Sequence, residues 1–306
     1  MTDRSRLYGR RGPGVNPCVP FARWWRGSFD RSSRTQEERD MSATGGDTTL
    51  TWIGQAGYAL EAPGGELCLI DPYLSEYVLE ELGTPRIAPV VVDVETARPL
   101  VVAITHWHHD HLDLPTCQAL AEHHPETIFA GPSSIVARLL GRGVARDRIV
   151  VFERGETVTV GPFTFHGTYA RHEVAGFLTE DAMGLVVETG GTRILHSGDT
   201  EYDARCLAVR ALGPFDVGIF VSNGSGGCMN GREAALMASS LPLGVAIPCH
   251  YGMWAPEGYG AHPGQDPAEA PTLDPQLFAD TCAALGGPPA RVLELGERFA
   301  VTPVLA

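Results

Sequence analysis

The chain has 306 residues, 43% hydrophobic and 20% charged, enough to bury a sizeable core and near the upper limit for one domain. Even its most apolar runs, such as 101–104, soon meet polar residues, so no membrane span or membrane partner is expected. A net charge of −14 would repel a phosphate backbone, which sets nucleic acid aside and favours a small-molecule substrate.

Residues 1–46 differ from the rest. Nine arginines stand against five acids there, near +4, which leaves the remainder near −18. This Arg/Pro/Gly-rich stretch reads as a disordered tail, and 47–306 as the folded domain. Arg10-Arg11 is followed by Pro17, Pro20, Arg23 and Arg26 rather than an apolar stretch, so a twin-arginine export signal is not expected. Met41, just ahead of the first strand signal, reads as an alternative start. Seven cysteines, odd in number, scattered and never spaced C-x-x-C, suit a reducing cytoplasm without a disulfide framework. Cys249 reads as a small buried thiol.

From 48 onward β-rich runs dominate: 48–53, 58–61, 67–70, 101–104, 127–130, 149–152, 163–169, 184–188, 193–196, 217–220, 245–247 and 291–295. Helical periodicity interleaves at 115–122, 133–140, 203–212, 232–240 and 275–285. Many strands and few helices, each helix apolar on one face, predict an α/β (α+β) architecture of two packed sheets covered outside by helices, a four-layer αββα sandwich.

The run 101–104 leads straight into Thr105-His106-Trp107-His108-His109-Asp110-His111. In an extended stretch His106 and His108 point the same way and can share one ion; Asp110 and His111, where the chain must turn, can serve a second one nearby. A solvated polar loop is the plain alternative, but the density of ligand types favours metal.

This motif and its context resemble the metallo-β-lactamase superfamily over nearly all of 48–302. Gly54-Gln55-Ala56-Gly57, Leu69-Ile70-Asp71-Pro72-Tyr73-Leu74-Ser75, Pro85-Arg86-Ile87-Ala88-Pro89, Ser197-Gly198-Asp199-Thr200 and Ile247-Pro248-Cys249-His250-Tyr251-Gly252-Met253-Trp254 are similar to its L-ascorbate-6-phosphate lactonase-like branch. The resemblance, not spacing, supplies His172 as the third histidine of a first metal, Asp199 as a bridging aspartate and His250 as the last histidine of a second. It implies two divalent ions: His106, His108 and His172 on one, Asp110, His111 and His250 on the other. Zinc is preferred, with manganese or iron(II) as alternatives, because imidazoles and carboxylates without a thiolate suit all three.

Two adjacent cations would lower the pKa of a bridging water and polarise a carbonyl or phosphoryl oxygen, so hydrolysis is the expected reaction, with Asp110 and Asp199 at its centre. The branch implies opening of a lactone or related ester or amide. A phosphodiesterase on the same site and a noncatalytic metal-binding protein are the rivals. Tyr251 is read as a donor to the leaving group and His262, in a Gly/Pro-rich segment at 254–271, as part of a lid. Arg86, Arg171, Asn223, Asn230 and Trp254 are candidate substrate contacts; with no lysine in the chain, Arg86, Arg171 and Arg232 are left to meet a phosphate. Relatives carry Asn-Gly-Arg-x-Gly-Asn-Met-Asn where this chain reads Asn223-Gly224-Ser225-Gly226-Gly227-Cys228-Met229-Asn230, which loses an arginine and an asparagine. Asp71 is read as a partner of a ligand histidine or a turn residue, and Asp113 as a helix cap. A homo-oligomer is compatible with all of this.

Overall fold

The computed structural model describes residues 47–263, 265 and 270–303. The expected tail at 1–46 and the alternative start at Met41 lie outside them. Among the described residues no helix is long and apolar enough to cross a membrane.

Two mixed sheets form the body. The first has seven strands, in the order β15 (Arg298–Ala300), β1 (Thr49–Gly54), β2 (Gly57–Glu61), β3 (Leu67–Ile70), β4 (Val101–Ala103), β5 (Ile128–Gly131) and β6 (Ile149–Val151). It is antiparallel from β15 to β3 and parallel from β3 to β6. The second has six, in the order β14 (Leu243–Cys249), β13 (Phe215–Val221), β12 (Thr192–His196), β11 (Met183–Thr189), β8 (Phe163–Tyr169) and β7 (Thr157–Val160). Here β14, β13 and β12 run parallel, and the rest antiparallel.

Alternation along the strands explains the layering. Val101 and Ala103 point between the sheets, to meet Leu185, Val187 and Val217, while Val102 and Ile104 face out toward α2 (Leu114–His123) and α3 (Ile135–Leu140). On the other sheet Val186, Leu195 and Phe220 turn outward under α4 (Gly231–Ser239) and α5 (Pro275–Ala284). Strands covered on both faces need apolar residues at every position, which is why they read as continuous apolar runs. The four-layer αββα expectation is met.

Several details differ from expectation, among them the strand β7 and a short helix, Tyr77–Leu82, where none was expected. The run 291–295 makes no strand; the chain there holds only a bridge between Ala290 and Ala246, and pairing with β1 is taken by β15 instead. The periodic stretch 203–212 coils as a 3₁₀ helix, Ala204–Leu212, capped by Asp203. A two-stranded hairpin, β9 (Glu173–Val174) with β10 (Phe177–Leu178), follows His172 and was not expected.

Candidate metal centre

Five strand ends converge on one edge of the sandwich. β4 delivers the loop of His106 to His111, β8 delivers His172, β12 delivers Asp199, β14 ends at His250 and β3 ends at Asp71. Gly198 makes the turn into Asp199 with φ +59°, and a Cβ there would meet the Met183 carbonyl oxygen at 2.4 Å, so glycine is required. Gln55, Asp71 and His250 also adopt positive φ, a conformation that side chains other than glycine take at a cost. Three such residues around one cluster indicate that the surrounding structure holds their side chains to a task.

The cluster is compact and dry. His106 and His111 are fully buried, and His172, Asp199 and His250 are at most 4% exposed. His108 Nδ1 lies 3.0 Å from His106 Nε2 and 2.9 Å from His172 Nε2. On the other side His111 Nε2, His250 Nε2 and Asp110 Oδ2 stand together, at 3.2 Å between the rings and 3.2 and 3.8 Å from the carboxylate to His250 and His111. Asp199 Oδ2 faces both halves, 3.3 Å from His111 and His250 and 3.7 Å from His172. All seven ligands expected from the motif and the resemblance are thus brought to one place.

Fixed partners behind the rings determine which nitrogens carry protons. His111 Nδ1 donates to Asp71 Oδ2 at 2.8 Å. Thr105 Oγ1 donates to the same carboxylate at 2.6 Å and so accepts from His106 Nδ1 at 3.0 Å. His172 Nδ1 donates to the Gly227 carbonyl at 3.2 Å. In the neutral ring each of these bonds leaves Nε2 as the lone pair aimed inward, ready for a cation. Lone pairs and carboxylates crowded within about van der Waals distance repel unless a positive charge sits among them. Asp199 Oδ1, buried with no hydrogen-bond partner among the described residues, adds another unanswered acceptor. The donor set therefore fits divalent metal, and His106–His108–His172, His106–His111–Asp199 and Asp110–His111–His250 are each tight enough to share an ion.

Electrostatics support the same division. Burial and the neighbouring imidazoles hold His106 well below the ordinary histidine range and His108 at about 4, so these two rings are neutral and ready to ligate. For His250 burial is outweighed by Asp199 and Asp110, which push it up to about 9; His111 is raised by Asp199, Asp110 and Asp71 against its own burial. Protons stand there where a cation would otherwise balance the carboxylates.

Several further side chains support this arrangement. Tyr259 Oη donates to Gln55 Oε1 at 2.9 Å, and Gln55 Nε2 donates to Asp110 Oδ2 at 2.9 Å. This relay ties the 3₁₀ turn Pro256–Tyr259 to the metal centre. Thr179 Oγ1 lies 3.4 Å from His108 Nε2. His196 is a satisfied core histidine: Nε2 donates to the Ala56 carbonyl at 2.9 Å and Nδ1 accepts from Gly198 N at 3.0 Å. Asp71 serves as the partner of a ligand histidine, and Asp113 caps α2 by accepting from Thr116 N at 3.1 Å.

Other expected site residues are placed elsewhere. Tyr251 packs in the core between the sheets, 5.0 Å from the Trp52 ring, with its hydroxyl buried and unpartnered among the described residues; burial raises its pKa, and it is no proton donor to a substrate. The His262 side chain is exposed and has no described contact with the cluster. Asn223 supports a ligand instead of a substrate, its amide standing 2.7 Å from His250 Nδ1. Asn230 is the N-cap of α4, accepting from the backbone of Arg232 and Glu233 at 3.0 Å within a capping box. Arg86 is held by the carbonyls of Tyr73, Ala88 and Pro89, and Arg171 pairs with Glu173 and Glu201, so both guanidinium groups are engaged. Trp254 alone among the substrate candidates keeps that role open: its indole stands 6.4 Å from His250 and 4.9 Å from Tyr259. Trp107 flanks the opposite half, 4.6 Å from His108.

The family model of the beta-lactamase superfamily domain matches residues 67–251, the span that carries every one of these ligands. The chain belongs to that superfamily. It is similar to a UPF0173 metal-dependent hydrolase of Roseiflexus castenholzii, 28% identical over 225 residues that cover 69% of this chain and 86% of the relative. It is also similar to the "probable L-ascorbate-6-phosphate lactonase UlaG" of Salmonella choleraesuis, 25% identical over 252 residues, with 69% and 71% covered. Among solved structures, isothiocyanate hydrolase from Delia radicum gut bacteria superposes with a TM-score of 0.63 at 21% identity, over 83% of this chain and 99% of that one; this likeness is one of fold.

Proposed function

We propose that this protein is a metal-dependent hydrolase that opens a lactone or related ester of a small, unphosphorylated substrate at a two-metal centre. The observation that carries the proposal is the Asp199 carboxylate, whose Oδ2 faces His172 on one side and His111 and His250 on the other. Similarity to metal-dependent hydrolases and to a lactonase supports the reaction class.

In this reading His106, His108 and His172 hold one ion, Asp110, His111 and His250 hold the other, and Asp199 bridges them. Zinc, manganese or iron(II) there would acidify water and polarise the scissile carbonyl. Asp110 Oδ2 accepts from Gln55 Nε2 and stands 3.2 Å from His250 Nε2, so Gln55 fixes the orientation in which this carboxylate would hold its ion. Asp71 keeps His111, and through Thr105 also His106, in the tautomer with Nε2 free. Trp107 and Trp254, one beside each half, form apolar walls that exclude bulk water from a small ring. Of the three arginines left to meet a phosphate, Arg86 and Arg171 are already engaged and Arg232 is exposed in the first turn of α4, and on that footing the site favours substrates without phosphate.

A panel of aliphatic lactones, each with and without a phosphate, tests this on protein loaded with zinc or manganese. Opening of the unphosphorylated rings is expected. Preference for a phosphodiester, or for phosphorylated lactones, would replace the proposal.

A further inference from the structure

The loop joining β13 to α4 passes over the centre, and one glycine in it is indispensable. Gly227 has φ +73°, and a Cβ there would meet the Glu173 carbonyl oxygen at 2.1 Å. The loop is therefore pressed against the backbone just after His172, and the Gly227 carbonyl accepts from the His172 ring. This sets the next residue, Cys228, beside the ligands: its Sγ, a carboxylate oxygen of Asp199 and a ring nitrogen of His172 all lie within 4.8 Å of one another. The thiol's described hydrogen bonds are to the Gly226 carbonyl, long at 3.9 Å, and to the Asp199 carboxylate, so the sulfur already faces that carboxylate. Asp199 is 4% exposed, and its Oδ1 is buried with no nitrogen or oxygen donor among the described residues.

We propose that Cys228 is a further metal ligand, joining His172 and Asp199 as a thiolate on the His106–His108–His172 half of the centre. Zinc–sulfur and zinc–nitrogen bonds of about 2.3 and about 2.0 Å let donors of one ion stand at most about 4.3 Å apart, so atoms that all lie within 4.8 Å of one another need only a small adjustment to share it. On binding, the S–H bond breaks, sulfur keeps the electron pair for the metal and the proton leaves to solvent. A thiolate favours zinc and disfavours manganese, whereas a purely imidazole and carboxylate set leaves that choice open.

The inference rests on the metal-centre reading, and cobalt(II) separates the two. The full chain is stripped with a chelator, loaded with cobalt(II), and compared with Cys228→Ser by absorption spectroscopy. Visible cobalt bands in both proteins, with a near-ultraviolet sulfur-to-cobalt charge-transfer band present in the wild type and lost in the variant, is the expected result. Visible bands without the charge-transfer band in the wild type, or a charge-transfer band that persists in the variant, overturns Cys228 as a ligand and leaves the centre standing. Failure of the wild type to bind cobalt at all overturns both. Should the serine variant not fold, Cys228→Asn provides the same comparison.

Discussion

Asp71→Asn is the sharpest perturbation of the centre that touches no proposed ligand. The carboxylate is fully buried at φ +43°, a conformation asparagine tolerates, so the backbone is spared. Oδ1 accepts from Thr105 N at 2.8 Å, and an amide oxygen can keep that bond. Oδ2 accepts from both Thr105 Oγ1 and His111 Nδ1, and an NH₂ group placed there meets the imidazole N–H donor to donor. His111 escapes by moving its proton to Nε2, which removes the lone pair that faces the metal. Loss of an outer partner of a ligand histidine costs roughly 10–100-fold in metal affinity, about 1.4–2.7 kcal/mol at one site. Chelator competition with zinc should therefore resolve one site weakened by that factor and a second weakened less, with thermal unfolding of the metal-free protein little changed. Two undiminished affinities in a folded variant would refute the assignment of Asp71 as the group that sets the His111 tautomer.

Tyr259→Phe deletes the hydroxyl that donates to Gln55 and should lower kcat about 3–10-fold with metal content unchanged, as expected for an orienting bond two steps from the reacting atoms; equal kcat would remove the relay from the account. Asn230→Ala should cost about 1 kcal/mol in urea unfolding and leave kcat/KM unaltered, because the side chain caps α4; a selective rise in KM would restore it as a substrate contact. Glu188, 28% exposed, is lowered from 4.5 to about 2 by the His166 ring, whose Nε2 stands 3.5 Å from its carboxylate, then by Arg193, against partial burial. Its stabilising contribution is whole above pH 4.5 and is lost as the pH falls through that window to about 2, on the order of 1–2 kcal/mol after screening. Glu188→Gln should flatten the dependence of unfolding free energy on pH across it, and an unchanged slope would show that other carboxylates carry the acid sensitivity.

The fold was legible because burial on both faces leaves little choice of residue: β4 is apolar at every position, and β13 at every position but Asp216. The cluster was legible because four of its seven candidate ligands sit in six consecutive residues at a strand end. His172, Asp199 and His250 come from three other strands, and local spacing carries no record of which strand ends meet; a resemblance supplied them. The tyrosines show the limit most plainly. Tyr251 adjoins a ligand and yet packs inward, since the left-handed turn at His250 breaks strand alternation, while Tyr259, eight residues on, reaches back to Gln55. Likewise Asn223 and Asn230 stand in one polar loop, and only the three-dimensional path of the chain makes one a support for His250 and the other a helix cap.

The most direct test of the whole account is metal content by plasma mass spectrometry on purified wild-type protein and Asp199→Ala, read beside lactone hydrolysis on the same samples. Two divalent ions per chain in the wild type, falling to one or none in the variant together with the activity, is the predicted result. A wild type that holds no metal or a single ion, or a variant that keeps both ions and full activity, would contradict a centre bridged by Asp199.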